Sequence, residues 1–269
     1  MNGLRSQFPT GEPARQGRVG FLVAGVQKGG TTALFDYLVE HPALSLPSIK
    51  EAHFFDEEVG VDWSRPDYAP YEALFSDDPS DGRLRGEATP IYLYWPNSLE
   101  RIAAYNPGMR LILIFRDPIE RALSHWKMEY ARGAETEPFA WCIREGRARV
   151  ADDPSTPGFH RVYSYVERGF YGAQLRRLLN IFPGEQLLFL RSDDLKAEPE
   201  RILRTVCDFL NAPVFERIEA RESHVAKNID YGAGITEEDR AYLKSVFAND
   251  QIIFNRLSGL SFPFFRPAP

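Results

Sequence analysis

A short apolar stretch that runs into a glycine-bearing turn and then into a helix restricts the possible folds of a chain more than its composition does. Val19 to Ala24 (VGFLVA) has the length and character of a buried strand. The turn Gly25-Val26-Gln27-Lys28-Gly29-Gly30 follows it, and a helix is predicted from about Thr31 to Glu40. His41-Pro42 stops that helix, because the residue before a proline disfavours the helical well. Successive backbone N–H groups in such a turn face inward and, with the helix N-terminus, form an anion site. Gly25 and Gly30 are spaced as in a P-loop, yet Thr31 stands where a nucleotide triphosphatase has its lysine. The lysine is Lys28, inside the turn, where it meets a group near the 5′ end of a nucleotide instead of reaching towards β- and γ-phosphates.

Strands and helices alternate along the rest of the chain. Leu84 to Ala88, Arg110 to Phe115 (RLILIF) and Gln186 to Leu190 read as strands, the second apolar on both faces as parallel strands usually are. Helices are expected at Asn97 to Tyr105, Asp117 to about Arg132, Gly172 to Phe182, Pro199 to Leu210 and Thr236 to about Leu257. Asp117 can cap its helix with Pro118 at the first helical position. Residues 56–82 read as a surface excursion, and 133–160 as irregular. This alternation implies one three-layer α/β domain, with a mostly parallel sheet flanked by helices and ligands at the carboxyl ends of the strands.

Composition narrows the partners. With 32 Lys plus Arg against 38 Asp plus Glu, the formal charge of −6 disfavours a role in coating nucleic acid or an anionic membrane. Residues 1–18 carry no apolar core and read as a flexible polar leader rather than a signal or an anchor, leaving 19–269 as the domain. No stretch reaches the roughly 18 apolar residues that span a bilayer. Cys142 and Cys207 have no His or Cys at metal-ligand spacing and read as buried free thiols, which fits a reducing cytoplasm.

Three further segments carry chemistry: Lys50-Glu51-Ala52-His53-Phe54-Phe55-Asp56, then Gly86-Glu87-Ala88-Thr89-Pro90, then Arg116-Asp117-Pro118 leading to Ser124. With the glycine turn and in this order, they make the chain resemble the sulfotransferases that use 3′-phosphoadenosine 5′-phosphosulfate (PAPS). The branch it resembles contains the heparan sulfate sulfotransferases and small bacterial enzymes, and the likeness runs from about residue 19 to 212. The resemblance implies a P-loop-like turn in which Lys28 contacts the bridging oxygen and sulfuryl group, while Gly29, Gly30, Thr31 and Thr32 supply donors. It implies that Arg116 and Ser124 hold the 3′-phosphate, that 3′,5′-bisphosphoadenosine (PAP) is the product, and that no metal takes part. Lys227 falls where related chains fold a loop over the nucleotide.

By the same resemblance, Glu51, His53 and Asp56 carry the acid–base chemistry. In an extended stretch Glu51 and His53 would project to the same side. Glu51 is favoured as the base, with His53 and Asp56 orienting it or substituting for it. Phe54 and Phe55 read as core, Arg121 as a salt-bridge or capping residue, and Thr89 and Pro90 as cleft wall. Ala88 replaces a lysine found in the glycosaminoglycan enzymes, which argues for a small-molecule acceptor over a polyanionic sugar. Residues 56–82 and 133–165 are expected to shape the acceptor pocket. A P-loop kinase of small molecules or nucleosides would need lysine directly before Thr32, and a non-catalytic nucleotide-binding module would lack Lys28 or the acid–base cluster.

Overall fold

The computed structural model describes residues 17–75, 78, 81–218 and 234–263. Its centre is a sheet of five parallel strands: β1 (Phe21–Gly25), β2 (Leu44–Ser45), β3 (Leu84–Ala88), β4 (Arg110–Phe115) and β5 (Leu187–Arg191), in the spatial order β2-β3-β1-β4-β5. Helices α1 (Thr31–Leu38), α2 (Ala69–Glu72), α3 (Ser98–Tyr105), α4 (Pro118–Ala131) and α5 (Phe139–Cys142) occupy the first half of the chain. They are followed by α6 (Ala148–Ala151), α7 (Tyr171–Ile181), α8 (Ser192–Ala197), α9 (Pro199–Leu210) and α10 (Glu237–Ser258).

The strands' two-residue period sorts the core into two layers. Leu22, Ala24, Leu111, Leu113 and Phe115 face α3, α7 and α10 through Leu99, Ile102, Leu175, Leu178 and Phe254. Phe21, Val23, Ile112 and Ile114 face α1 and α9 through Leu34, Leu38, Leu203 and Val206. Helix α10 begins with a capping box: Thr236 Oγ1 accepts from the Asp239 N–H and Asp239 Oδ2 from the Thr236 N–H, each at 3.1 Å. Its Asp250 reaches across to accept from the N–H groups of Gly172 and Ala173 at the start of α7, at 2.7 and 2.8 Å.

After β1 the chain turns towards β2 at one edge, and after β4 it turns towards β5 at the other. The crevice between β1 and β4 is therefore the topological switch point, where open α/β sheets bind ligands. Cys142 and Cys207 are buried and unpaired, as expected. Among the described residues, no helix is long and apolar enough to cross a membrane.

Two stretches differ from the sequence reading. Residues 192–197 form a helix, α8, directly after β5, and 44–45 form an edge strand, both too short to show a period. Within the 56–82 excursion, Tyr71 is buried and Trp63 and Tyr68 pack against Phe54 and Phe55, giving that polar segment an aromatic anchor in the core. Phe54 and Phe55 are core, as expected.

Candidate functional site

The turn after β1 is built so that only glycine fits at one position. A Cβ on Gly29 would lie 2.3 Å from the Ile114 carbonyl oxygen and 2.9 Å from that of Val26, both backbone atoms. Gly30 has φ of 106°, a left-handed conformation that admits glycine most readily, and Lys28 on the near side also has positive φ, 65°. Helix α1 starts at Thr31 with no side chain capping it, so its first-turn N–H groups remain available at the edge of a cleft that Thr31 and Thr32 line. The Lys28 ammonium lies 3.8 Å from Met128 Sδ. Burial and the neighbouring cations Arg132 and Arg116 lower its proton affinity below the ordinary lysine value.

The cleft, about 630 Å³, sits at the carboxyl ends of β1, β3, β4 and β5. Asp117 caps α4 by accepting from the Ile119 and Glu120 N–H groups at 2.9 and 3.2 Å. This capped turn sets Arg116 at the end of β4 and Ser124 on α4, both on the cleft. The Arg116 carbonyl accepts from the Tyr171 hydroxyl at 3.0 Å, and its guanidinium lies 3.9 Å from Glu120.

The facing wall carries a chain of charges. Asp56, fully buried, accepts from His53 Nδ1 at 3.0 Å and is paired with the Arg161 guanidinium. His53 Nε2 lies 3.5 Å from a Glu51 carboxylate oxygen, and Lys50 pairs with the other oxygen. Hydrogen bonds to Asp56 and Glu51 raise the His53 pKa to about 9, so the ring is an imidazolium at neutral pH. Burial opposes ionisation of Glu51, but His53 and Lys50 outweigh it and bring its pKa down to about 2. Glu51 and His53 do meet, but not because the stretch is extended. Both have positive φ, 67° and 52°, and the folded-back loop, not a strand period, aims them at each other. The Glu51 N–H donates to the Ala88 carbonyl at 3.1 Å and the Phe54 N–H to the Tyr92 hydroxyl at 3.2 Å, which ties this loop to the end of β3.

Residues 20–229 match the family model for the sulfotransferase domain. The chain belongs to the sulfotransferase family. It is 33% identical over 196 residues to heparan sulfate glucosamine 3-O-sulfotransferase 5 of Mus musculus, covering 71% of this chain and 53% of that protein. It is also 24% identical over 314 residues to the membrane-associated sulfotransferase kil1 of Dictyostelium discoideum, covering 88% of this chain and 65% of that protein. The chain thus spans about half to two thirds of the length of these curated relatives. Among solved structures, a sulfotransferase from Alicyclobacillus acidocaldarius superposes with a TM-score of 0.75 at 25% identity, over 93% of this chain and 99% of that one.

In this chain, Lys28, Gly30, Thr31, Thr32, Arg116, Ser124, Glu51 and His53 all line one cleft, and Asp56 stands directly behind His53. Lys227 lies outside the described residues. Ala88 does not face the cleft: it is fully buried among the apolar side chains of the sheet's second face, so its lack of charge bears on packing rather than on the acceptor. Pro90 lines the cleft, whereas the Thr89 hydroxyl turns inward to Glu87 at 2.7 Å. Among the described residues, Arg121 forms neither a salt bridge nor a cap. It is wholly buried and donates to the Tyr165 carbonyl, and burial depresses its pKa.

Among the cleft residues that the sequence reading did not single out are Arg161, Arg168, Ser192 and Lys196. Arg161 and Arg168 come from the irregular stretch before α7, and Ser192 and Lys196 come from α8. Arg168 is buried and donates to Gln27 Oε1 at 2.5 Å and to the Arg161 carbonyl at 2.8 Å, bracing the glycine turn against the Asp56–Arg161 pair. A lysine four residues after a serine at a strand's end could have pointed to α8. Nothing local marks the two arginines.

Proposed function

We propose that this sulfotransferase moves a sulfuryl group from PAPS to a hydroxyl of a small-molecule acceptor, a natural product, lipid or sugar, with PAP as the second product. One observation carries the reading: a cationic glycine turn and a second cation, Arg116, share a cleft with an ionised carboxylate held by an imidazolium. The donor carries about −4 in charge, counting its terminal phosphate near −2 and one each for the inner phosphate and the sulfate. The Gly29 cradle, where no side chain fits, and the open first turn of α1 suit the close approach of a phosphosulfate. Gly30, Thr31 and Thr32 are proposed donors to it, and Arg116 with Ser124 would hold the 3′-phosphate by charge and by hydrogen bond.

In the step itself, the acceptor oxygen attacks sulfur while Glu51 takes the hydroxyl proton. The bond from sulfur to the bridging oxygen breaks, and its electron pair stays on the departing 5′-phosphate, where Lys28 stabilises the growing charge. Glu51 is the base in this reading because His53, an imidazolium at neutral pH, has no free lone pair. The anionic donor beside Glu51 raises the carboxylate's low proton affinity as the complex forms. His53 orients Glu51 and is itself held by Asp56. Two buried unpaired thiols suit a reducing cytoplasm.

The test compares thermal stabilisation by PAP, AMP and ATP in the wild type and in Arg116→Ala. PAP is expected to stabilise most, and Arg116→Ala to weaken PAP by about 10- to 100-fold while leaving AMP nearly unchanged. Equal stabilisation by all three nucleotides would sink the two-phosphate reading.

A further inference from the structure

A second cavity, about 840 Å³, adjoins the first and shares two lining residues with it, His53 and Arg161. Its walls come from segments that take no part in the sheet: 57–59 and 95–97 on one side and 153–161 on the other. Its size is that of a cavity for a drug-sized ligand.

The apolar part of the lining is Val59, Trp95, Pro96, Pro157 and Phe159. Val59 is 94% exposed. Two of the aromatic side chains are fixed in place. Trp95 Nε1 donates to Glu58 at 3.0 Å, and the Arg161 guanidinium lies 4.3 Å over its ring. Phe159 packs 5.2 Å from the Tyr94 ring, whose hydroxyl donates to the Gly158 carbonyl at 3.2 Å.

The charges in this cavity are matched or negative. Three carboxylates line it: Glu57, Glu58 and Asp153. Among the described residues its permanent cation is Arg161, which is committed to Asp56. His53 is held between Asp56 and Glu51. His160 is uncharged at neutral pH: its Nδ1 accepts from the N–H groups of Val162 and Tyr163, both at 3.0 Å, and burial lowers its proton affinity further. Glu58 is neutralised by Arg101 at 2.7 Å, whereas Glu57 accepts from backbone N–H groups, those of Val59 and Gly60 at 2.8 and 3.0 Å. A carboxylate or sulfate entering here would lose water without gaining a free cation. An uncharged apolar body would gain from the aromatic walls.

We propose that this cavity is the acceptor site and that the acceptor is an uncharged alcohol or phenol with an apolar body, presenting its hydroxyl past His53 to Glu51. The proposal rests on the sulfuryl-transfer reading above. The test incubates the enzyme with PAPS and a panel of uncharged naphthols, phenols and long-chain alcohols. Each is paired with its carboxylated counterpart (2-naphthol with 6-hydroxy-2-naphthoate, for example), and sulfated products are read by mass spectrometry. The uncharged member of a pair is expected to be turned over with kcat/KM about ten-fold or more above its anionic partner. Val59→Lys, at an exposed position, should narrow that ratio several-fold by placing a cation at the mouth. Equal or better turnover of the carboxylated members, a ratio unmoved by Val59→Lys, or no turnover of any uncharged member by enzyme that binds PAP would each overturn the proposal. Failure to bind PAP would instead overturn the sulfuryl-transfer reading.

Discussion

Replacing Asp56 by Asn removes the buried charge that His53 and Arg161 share while keeping the side chain's shape. Asp56 is fully buried and accepts from His53 Nδ1 at 3.0 Å, and Arg161 also donates to its backbone carbonyl at 2.6 Å. Removing one partner of a buried ion pair costs about 3–5 kcal/mol. Here the side chains of His53 and Arg161 are each 44% exposed, so water screens part of the loss. We therefore expect a loss below that range, about 2–3 kcal/mol, seen as a fall in Tm of about 5–10 °C. The pH dependence fixes the origin of the effect. The His53 pKa is raised in the folded state from 6.5 to about 9, so its contribution is complete below pH 6.5 and is lost as pH rises through 9. In Asp56→Asn the stability difference from wild type should accordingly shrink above pH 9. NMR titration of the His53 ring, assigned with His53→Gln, should show its pKa falling back towards 6.5. Turnover should drop about 10- to 100-fold, because Glu51 loses its oriented neighbour. Wild-type stability together with a His53 pKa still near 9 in Asp56→Asn would refute this account of the loop.

Lys28→Met should reduce kcat by about 100- to 1,000-fold in steady-state assays and weaken PAP as well, since its charge acts on the departing phosphate that PAP retains. Intact turnover would remove Lys28 from the mechanism. A pH–rate profile separates the two candidate bases. With Glu51 as base the rate is level from about pH 5 to 8 and falls above about 9 as the imidazolium loses its proton, whereas with neutral His53 as base it climbs until about 9. Gly29→Ala pushes a methyl group to within 2.3 Å of the Ile114 carbonyl oxygen. It should cost about 2–4 kcal/mol in chemical denaturation and abolish stabilisation by PAP, and an unchanged denaturation midpoint would contradict the cradle geometry.

The excursions expected to shape the acceptor pocket supply much of the wall of the second cavity. Residues 57–59 and 153–160 are polar, rich in turns and without a period, yet they enclose an apolar space on either side of Trp95. In the proposed donor cleft the cations Lys28, Arg116, Arg132 and Lys196 outnumber the carboxylates Glu51 and Glu129, whereas the proposed acceptor cavity is lined by Glu57, Glu58 and Asp153. One boundary, His53 with Arg161, divides the two electrostatic regimes. Under the proposed function, that separation would pair a tetra-anionic donor with an uncharged acceptor.

The sequence alone determined what depends on near neighbours in the chain. The parallel α/β sheet follows from short apolar runs alternating with helical periods, the anion turn from glycine spacing after β1, and the placement of Arg116 and Ser124 from the Asp117-Pro118 cap. Each of these is written within about a dozen residues, where backbone sterics and capping chemistry act. The tertiary structure decided what depends on contacts across the chain. Arg161 reaches Asp56 across 105 residues and Arg168 reaches Gln27 across 141, from a stretch with no period to announce them. It also turned Ala88 into the core, closed Arg121 away from solvent and folded Glu51 back onto His53 through two left-handed residues. The charge state of that pair was not readable from residue types either. An imidazolium with a pKa of about 9 and a carboxylate near 2 exist because the hydrogen bonds among Asp56, His53, Glu51 and Lys50 outweigh the burial that opposes both charges.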